Sequence, residues 1–154
     1  MHDGKQHGLS DCINFAIDGG YHLVICPDAS SNDYAEHYRL AEKGIPCIVL
    51  DHHEADRTDE HAIIINNQLS AYPNKDFSGV GVVYQFCRFL DDLLGKHNAN
   101  NYLDLVALGN TADMMSLKSI ETKYLINEGL LNENLRNPFI YHMVMKNDYS
   151  LKYT

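Results

Sequence analysis

Apolar residues along this chain fall into two kinds of segment: short continuous runs bounded by turn residues, and longer stretches with helical spacing. Continuous runs fit buried strands of a parallel sheet, and recurrence every three or four residues fits amphipathic helices. Leu9, Ile13, Ala16 and Ile17 have helical spacing, with Ser10 placed to cap and Gly19-Gly20 placed to stop the helix. His22 to Cys26 reads as a short buried strand, and Pro27 with Asp28-Ala29-Ser30-Ser31-Asn32 reads as the turn after it. Asp33 and Glu36 form a candidate capping pair for a helix running through Lys43, which Gly44 ends. Ile45 to Leu50 is the next strand. This β-loop-α-β unit predicts parallel neighbouring strands and a right-handed crossover.

Beyond the charged loop Glu54 to Glu60, Ala62 to Ile65 is a third strand and Asn66 to Asp76 a polar loop. From Ser78 to Leu94 the residues Val82, Val83, Phe86, Phe89, Leu90 and Leu93 mark a long helix that stops at Gly95. Tyr102 to Leu108 reads as helical and leads into a tight turn, Gly109-Asn110-Thr111-Ala112, that ends in Asp113. A helix over Ser119 to Leu131, a break at Asn137-Pro138 and one more short helix complete the series. The expected fold is α/β, a parallel, three-layer Rossmann-like sheet followed by a helical part. Without repeats or a clear linker, residues 1–154 read as one domain.

Composition narrows the function classes. Apolar residues make up 45% and charged residues 21%, which suits a globular protein. No run approaches the length of a membrane span, and the polar N-terminus lacks the apolar core of a signal peptide, so the chain reads as cytoplasmic and not membrane-bound. Cys12, Cys26, Cys47 and Cys87 show no paired spacing and read as buried free thiols. The net charge of -9 argues against broad, sequence-independent attraction to nucleic acid. It leaves room for a metal-dependent phosphodiesterase, because carboxylate clusters make metal sites acidic and bound cations invert the local charge.

The chemistry concentrates at the strand ends, where open α/β sheets bind ligands. Asp51-His52-His53 directly follows the strand Ile45 to Leu50, Asp28 follows the preceding strand, and Asp113 follows an apolar stretch. Adjacent side chains on an extended strand point to opposite faces, so His52 and His53 share one ion only if the chain turns there. The simplest assignment gives His52 to a metal and His53 to substrate phosphate or proton donation, with Asp51 orienting an imidazole. Asp28 reads either as a turn acid or as a carboxylate bridging two metals, and Asp113 either as a cap or as a carboxylate aimed into a cleft. Gly79 and Gly81 open the long helix without the third glycine of a dinucleotide loop. They read either as close helix packing or as a phosphate-binding helix N-terminus. Met114-Met115 reads as core filler. His2, His7, His22, His37, His61, His97 and His142 show no paired spacing.

These residues resemble a known family. Asp51-His52-His53 resembles the signature of the DHH phosphoesterase superfamily, Val24 to Asp28 its second motif, and Leu105 to Leu117 its fourth. Ile65-Asn66-Asn67, Tyr72-Pro73, Phe77 to Val82 and Gly8-Leu9-Ser10 are similar to its RecJ branch of 5′→3′ single-stranded-DNA exonucleases. The resemblance runs from about residue 8 to about residue 135. It implies a two-metal phosphodiesterase using Mn²⁺ or Mg²⁺, with Asp28 bridging the ions, His52 and Asp113 as further ligands and His53 on the scissile phosphate. In-line attack would then be clamped by both ions.

The family's first motif, an Asp-rich strand, should precede Gly8, where Asp3 is the sole acid. Its DHHA1 region should follow Thr154. The resemblance therefore covers a partial DHH domain with its N-terminal strand or strands missing. Three functions fit: hydrolysis of single-stranded DNA from a 5′ end, hydrolysis of short oligonucleotides or cyclic dinucleotides, and a non-catalytic module that pairs with a further domain or chain supplying the missing strand.

Overall fold

A computed structural model of the chain describes residues 8–131 and 135–147. Asp3, His2 and His7, named above, lie outside the described residues. The chain divides into two compact units, 1–75 and 76–154.

In the first unit a 3₁₀ turn at Leu9–Asp11 precedes helix α1 (Ile13–Asp18). Strand β1 (Val24–Pro27), helix α2 (Tyr34–Glu42), strand β2 (Cys47–Asp51) and strand β3 (Ile63–Asn66) follow. The sheet is parallel in the order β1-β2-β3, with Cys26 level with Val49 and Val49 level with Ile64. The expected parallel β-α-β unit is therefore present, and it sets the ends of β1 and β2 side by side.

One face of the sheet supplies Cys26, Cys47 and Val49 to a core shared with Leu9, Ile13, Ala16, Leu40 and Ile45. On the other face Ile25, Ile48 and Ile63 line up across the three strands. Ile25 is 49% and Ile63 61% exposed. Among the described residues β1 and β3 are the sheet edges.

Local details depart from the sequence reading where tertiary bonds compete. Ser10 lies in the 3₁₀ turn, and α1 begins only after Cys12. Asp33 sits at the N-cap of α2 without a side-chain cap bond. Its Oδ2 instead accepts the Leu9 N–H at 2.8 Å, so the expected capping pair with Glu36 gives way to a tie to the first turn. Pro27 belongs to β1, and Asp51 is the last residue of β2. Cys26 and Cys47 are buried as expected, but Cys12 and Cys87 are exposed free thiols.

The second unit is helical: α3 (Gly79–Leu94), a 3₁₀ turn at Ala99–Tyr102, α4 (Leu103–Ala112), α5 (Ile120–Gly129) and α6 (Pro138–Asn147). Gly95 caps α3 in the left-handed conformation, φ 61°, which glycine adopts without steric cost. α4 and α5 approach so closely that a Cβ on Gly129 would stand 2.1 Å from the Leu103 carbonyl oxygen. Asn137-Pro138, expected as a break, starts α6. The Asn137 Oδ1 accepts the Phe139 and Ile140 N–H groups, and proline suits the first helical position. No helix among the described residues is long and apolar enough to cross a membrane.

Candidate metal centre

Two backbone turns and one side-chain clasp bring the strand ends of the first unit together. Immediately after β1, Asp28 donates its N–H to the Leu50 carbonyl (2.8 Å) and adopts φ 61°, a left-handed turn that swings the chain off the sheet. β2 ends at Asp51, and the chain turns there. Asn66, the last residue of β3 and 2% exposed, donates from its amide to the Ser31 hydroxyl (2.8 Å) and to the His53 carbonyl (2.9 Å). It fastens the loop after β1 to the loop after β2.

The turn resolves the geometric objection to the paired histidines. The His52 and His53 rings lie 4.4 Å apart, and His52 Nε2 is 3.2 Å from Asp28 Oδ1. Asp28, His52 and His53 each offer a ligand atom, all within 4.8 Å of one another. His52 is largely buried, while the Asp28 and His53 side chains are half-exposed or more. The adjoining cavity, about 380 Å³, runs along residues 28–33 to Asp51, His53 and Glu54. Asp28, Asp33, Asp51 and Glu54 make its lining acidic. A carboxylate and two imidazoles in an acidic recess fit a divalent transition-metal ion.

Asp51 is 1% exposed. Its Oδ1 accepts from the His52 N–H (2.8 Å), the His53 N–H (3.2 Å) and His53 Nδ1 (2.7 Å), and its Oδ2 accepts from the Ser31 N–H (3.2 Å). Burial alone would raise this carboxyl. Hydrogen bonds from His53, Ser31 and His52 outweigh burial and hold it below the usual carboxylate range. The imidazole it orients is that of His53. Because a carboxylate only accepts, a proton sits on His53 Nδ1, and Nε2 is the ring nitrogen left for an ion.

The other expected site residues lie in the second unit. Asp113 is the exposed C-cap of α4, donating its N–H to the Gly109 carbonyl (3.0 Å). The expected tight turn at Gly109 to Ala112 is instead the last turn of α4. Asn110, fully buried, bonds the Val106 carbonyl and accepts the Ser78 N–H, and these ties keep the helix intact. Met114, at φ 53°, takes the left-handed position after that helix and is 87% exposed, so it is not core filler. Gly79 and Gly81 are buried, and a Cβ on Gly81 would stand 3.0–3.1 Å from Phe77, which suits close packing at the start of α3.

Sequence reasoning missed a further pair. Fully buried His37 places Nδ1 2.8 Å from Asp59 Oδ2, although spacing gave no hint of a histidine partnership. Asn66 also went unassigned to the site. Its sequence signals are its place in the Ile65-Asn66-Asn67 motif and its position after the strand beside the histidine-bearing one.

The chain matches the DHH family, N-terminal domain, over residues 4–110. It is 43% identical over 154 residues to a putative SPbeta prophage-derived single-strand DNA-specific exonuclease, YorK, of Bacillus subtilis strain 168, covering 99% of this chain and 26% of YorK. It is 32% identical over 139 residues to the single-stranded-DNA-specific exonuclease RecJ of Dickeya dadantii strain 3937, covering 80% of this chain and 24% of that protein. The chain thus spans about a quarter of the length of these relatives. Its fold superposes on a crystal structure of exonuclease RecJ bound to manganese with TM-score 0.79 and 25% identity, over 94% of this chain and 37% of that one. A second likeness, to RecJ with Mn²⁺ from Thermus thermophilus, has TM-score 0.74 and 22% identity over 91% of this chain and 22% of that one. Signature triplet, parallel sheet and family match agree: the chain belongs to the DHH family.

Proposed function

We propose that this chain is part of a RecJ-like, metal-dependent phosphodiesterase that hydrolyses single-stranded DNA from a 5′ end, in the cytoplasm. The observation that carries this reading is the convergence of Asp28, His52 and His53 within 4.8 Å at the carboxyl edge of a parallel sheet. These three residues would hold Mn²⁺ or Mg²⁺. Asp113 would be a further ligand, supported by its place in the fourth motif. A divalent ion there would neutralise charge on a phosphodiester and lower the pKa of water.

The chain's own residues supply orientation and proton handling. Asp51 fixes the His53 ring so that Nε2 faces outward, able to bind an ion or exchange a proton with substrate oxygen. Asn66 holds the His53 carbonyl and with it the loop that carries both imidazoles. The acidic lining favours a cation over a bare phosphate. Substrate binding would therefore follow metal binding.

Calorimetric titration with Mn²⁺ tests the centre. Asp28→Gly suits the positive φ at that position and removes the carboxylate, and His52→Ala removes the most buried imidazole. Both should abolish Mn²⁺ binding while circular dichroism stays unchanged, and wild-type affinity in either variant overturns the assignment. Rates on 5′-phosphorylated single strands of increasing length, set against dinucleotides and cyclic dinucleotides, separate an exonuclease from an oligonucleotide hydrolase.

A second reading has a specific observation behind it. All-parallel sheets are ordinarily covered on both faces, yet here Ile25 on β1 and Ile63 on β3 are exposed, and among the described residues these two strands are the sheet edges. A strand-bearing segment from another domain or chain would pair with an edge and cover part of this face. A monomer that binds Mn²⁺ and digests single strands unaided excludes a non-catalytic role.

A further inference from the structure

A second cavity in the first unit, about 610 Å³, lies between one face of α2 and the loop after β2. Its walls are Tyr34, Ala35 and Tyr38 from the helix and residues 57–61 from the loop. We propose that it is a stacking pocket for a nucleobase of the single strand whose phosphate sits at Asp28, His52 and His53. This rests on the nuclease reading above.

The rings are fixed in advance. The Tyr34 hydroxyl shares its one proton between Asn32 Oδ1 (2.9 Å) and the Arg57 carbonyl (3.3 Å). The Arg57 guanidinium lies 4.7 Å from the centroid of the Tyr34 ring. The Tyr38 hydroxyl donates to Glu42 Oε1 (2.9 Å), and the Tyr38 and His61 rings meet edge-on at 5.2 Å. Tyr38 remains 48% exposed, so part of its ring is open to a ligand. Below them the largely buried Asp59 is bound by His37 and by the His61 N–H (3.1 Å) and holds the loop in place. A preformed aromatic wall loses little conformational freedom on binding, which favours stacking.

Charge selects the ligand. Asp59, Glu60 and Glu42 around the rings disfavour a phosphate. Arg57 already covers the Tyr34 ring and disfavours a cation. A flat, neutral heterocycle such as a nucleobase suits both conditions. The location suits it too. Asn32 donates to the Glu54 carbonyl (3.2 Å) and accepts the Asp56 N–H (3.1 Å), and both Asn32 and Glu54 line the metal-side cavity. Asn32 thus lines the metal-side cavity and bonds Tyr34 of the second, so one nucleotide chain can lie along this wall.

The test uses the intact chain with Mn²⁺ and a 5′-phosphorylated oligothymidylate whose phosphorothioate linkages slow cleavage, followed by fluorescence anisotropy. Tyr38→Ala should weaken binding roughly tenfold, as the loss of one stacked base implies, whereas Tyr38→Phe should not. A walk of single abasic positions along the oligonucleotide should weaken the wild type by a similar factor at one position and leave Tyr38→Ala indifferent there. If the wild type binds the strand but Tyr38→Ala binds as well, or no abasic position matters, the pocket assignment falls and the nuclease reading stands. If the wild type fails to bind the strand with Mn²⁺ present, the nuclease reading falls and the pocket with it. Competition by free arginine in place of thymidine would show a cation pocket and also overturn the assignment.

Discussion

Replacing Asp51 by asparagine keeps the volume of the side chain and removes its charge. The carboxylate accepts four hydrogen bonds in a site that is 1% exposed. An asparagine oxygen turned toward His52 and His53 preserves three of them. Its NH₂ then faces the Ser31 N–H, so two donors oppose each other and one buried donor is left unsatisfied, costing about 1–3 kcal/mol. The three surviving bonds lose their charge assistance, roughly 1 kcal/mol each and not additive. Relief from burying an ionised group offsets part of this. The expected net loss is about 2–4 kcal/mol. Urea unfolding in EDTA measures it without any contribution from bound metal. Mn²⁺ affinity should fall about 10–100-fold as well, because the His53 ring loses its anchor. His53→Ala serves as the comparison: it removes only the Nδ1 bond and leaves Asp51 the other three, so its loss should be smaller, about 1 kcal/mol. An Asp51→Asn midpoint within about 0.5 kcal/mol of wild type would refute the claim that this carboxylate organises the turn.

Three further outcomes are expected. At position 28, with φ 61°, glycine should be more stable than alanine by about 1 kcal/mol, and equal thermal midpoints would remove the case for a strained turn. Asp59 has its carboxyl raised by burial, but the His61 N–H and His37 outweigh this and leave it net lowered. The stability it contributes is therefore present above the ordinary value of 3.8 and lost as pH falls through the lower folded value. Asp59→Asn should cost about 1–3 kcal/mol at neutral pH, and thermal melts should show the gap to wild type closing below pH 3.8; a gap that widens in acid contradicts this. Gly129→Ala puts a methyl against the Leu103 carbonyl, and overpacking should outweigh the better helix propensity of alanine by about 1–3 kcal/mol, so an unchanged melting temperature would mean that α4 and α5 separate easily.

Strand and helix identity were legible because the apolar runs around Cys26 and Val49 and the spacing of Val82, Phe86 and Phe89 are unambiguous signals. The Asp-His-His triplet and the acid after the preceding strand were legible because parallel neighbours must bring their carboxyl ends together. What the pattern could not convey depends on atoms far apart in sequence. Asp33 is a good capping residue that bonds Leu9 instead, 24 positions away. His37 and Asp59 are 22 apart and form a buried pair that spacing cannot show. Gly109-Asn110 has the composition of a turn, but the bonds of Asn110 to Val106 and Ser78 keep it helical. Proline at 138 breaks helices from within and starts them from the first position, so sequence alone could not choose between the two.

The grip of Asn66 sets the smallest piece that can be transplanted. The third strand contributes nothing to the proposed ligand set, yet its last side chain clasps the two loops that would supply it. A graft carrying only the Asp28 turn and the histidine loop onto a foreign scaffold would lack that clasp and leave the imidazoles to wander. One extending from Leu9 through Asn67 would bring its own scaffold, and protein engineers seeking a compact cation-binding cassette should take that whole length.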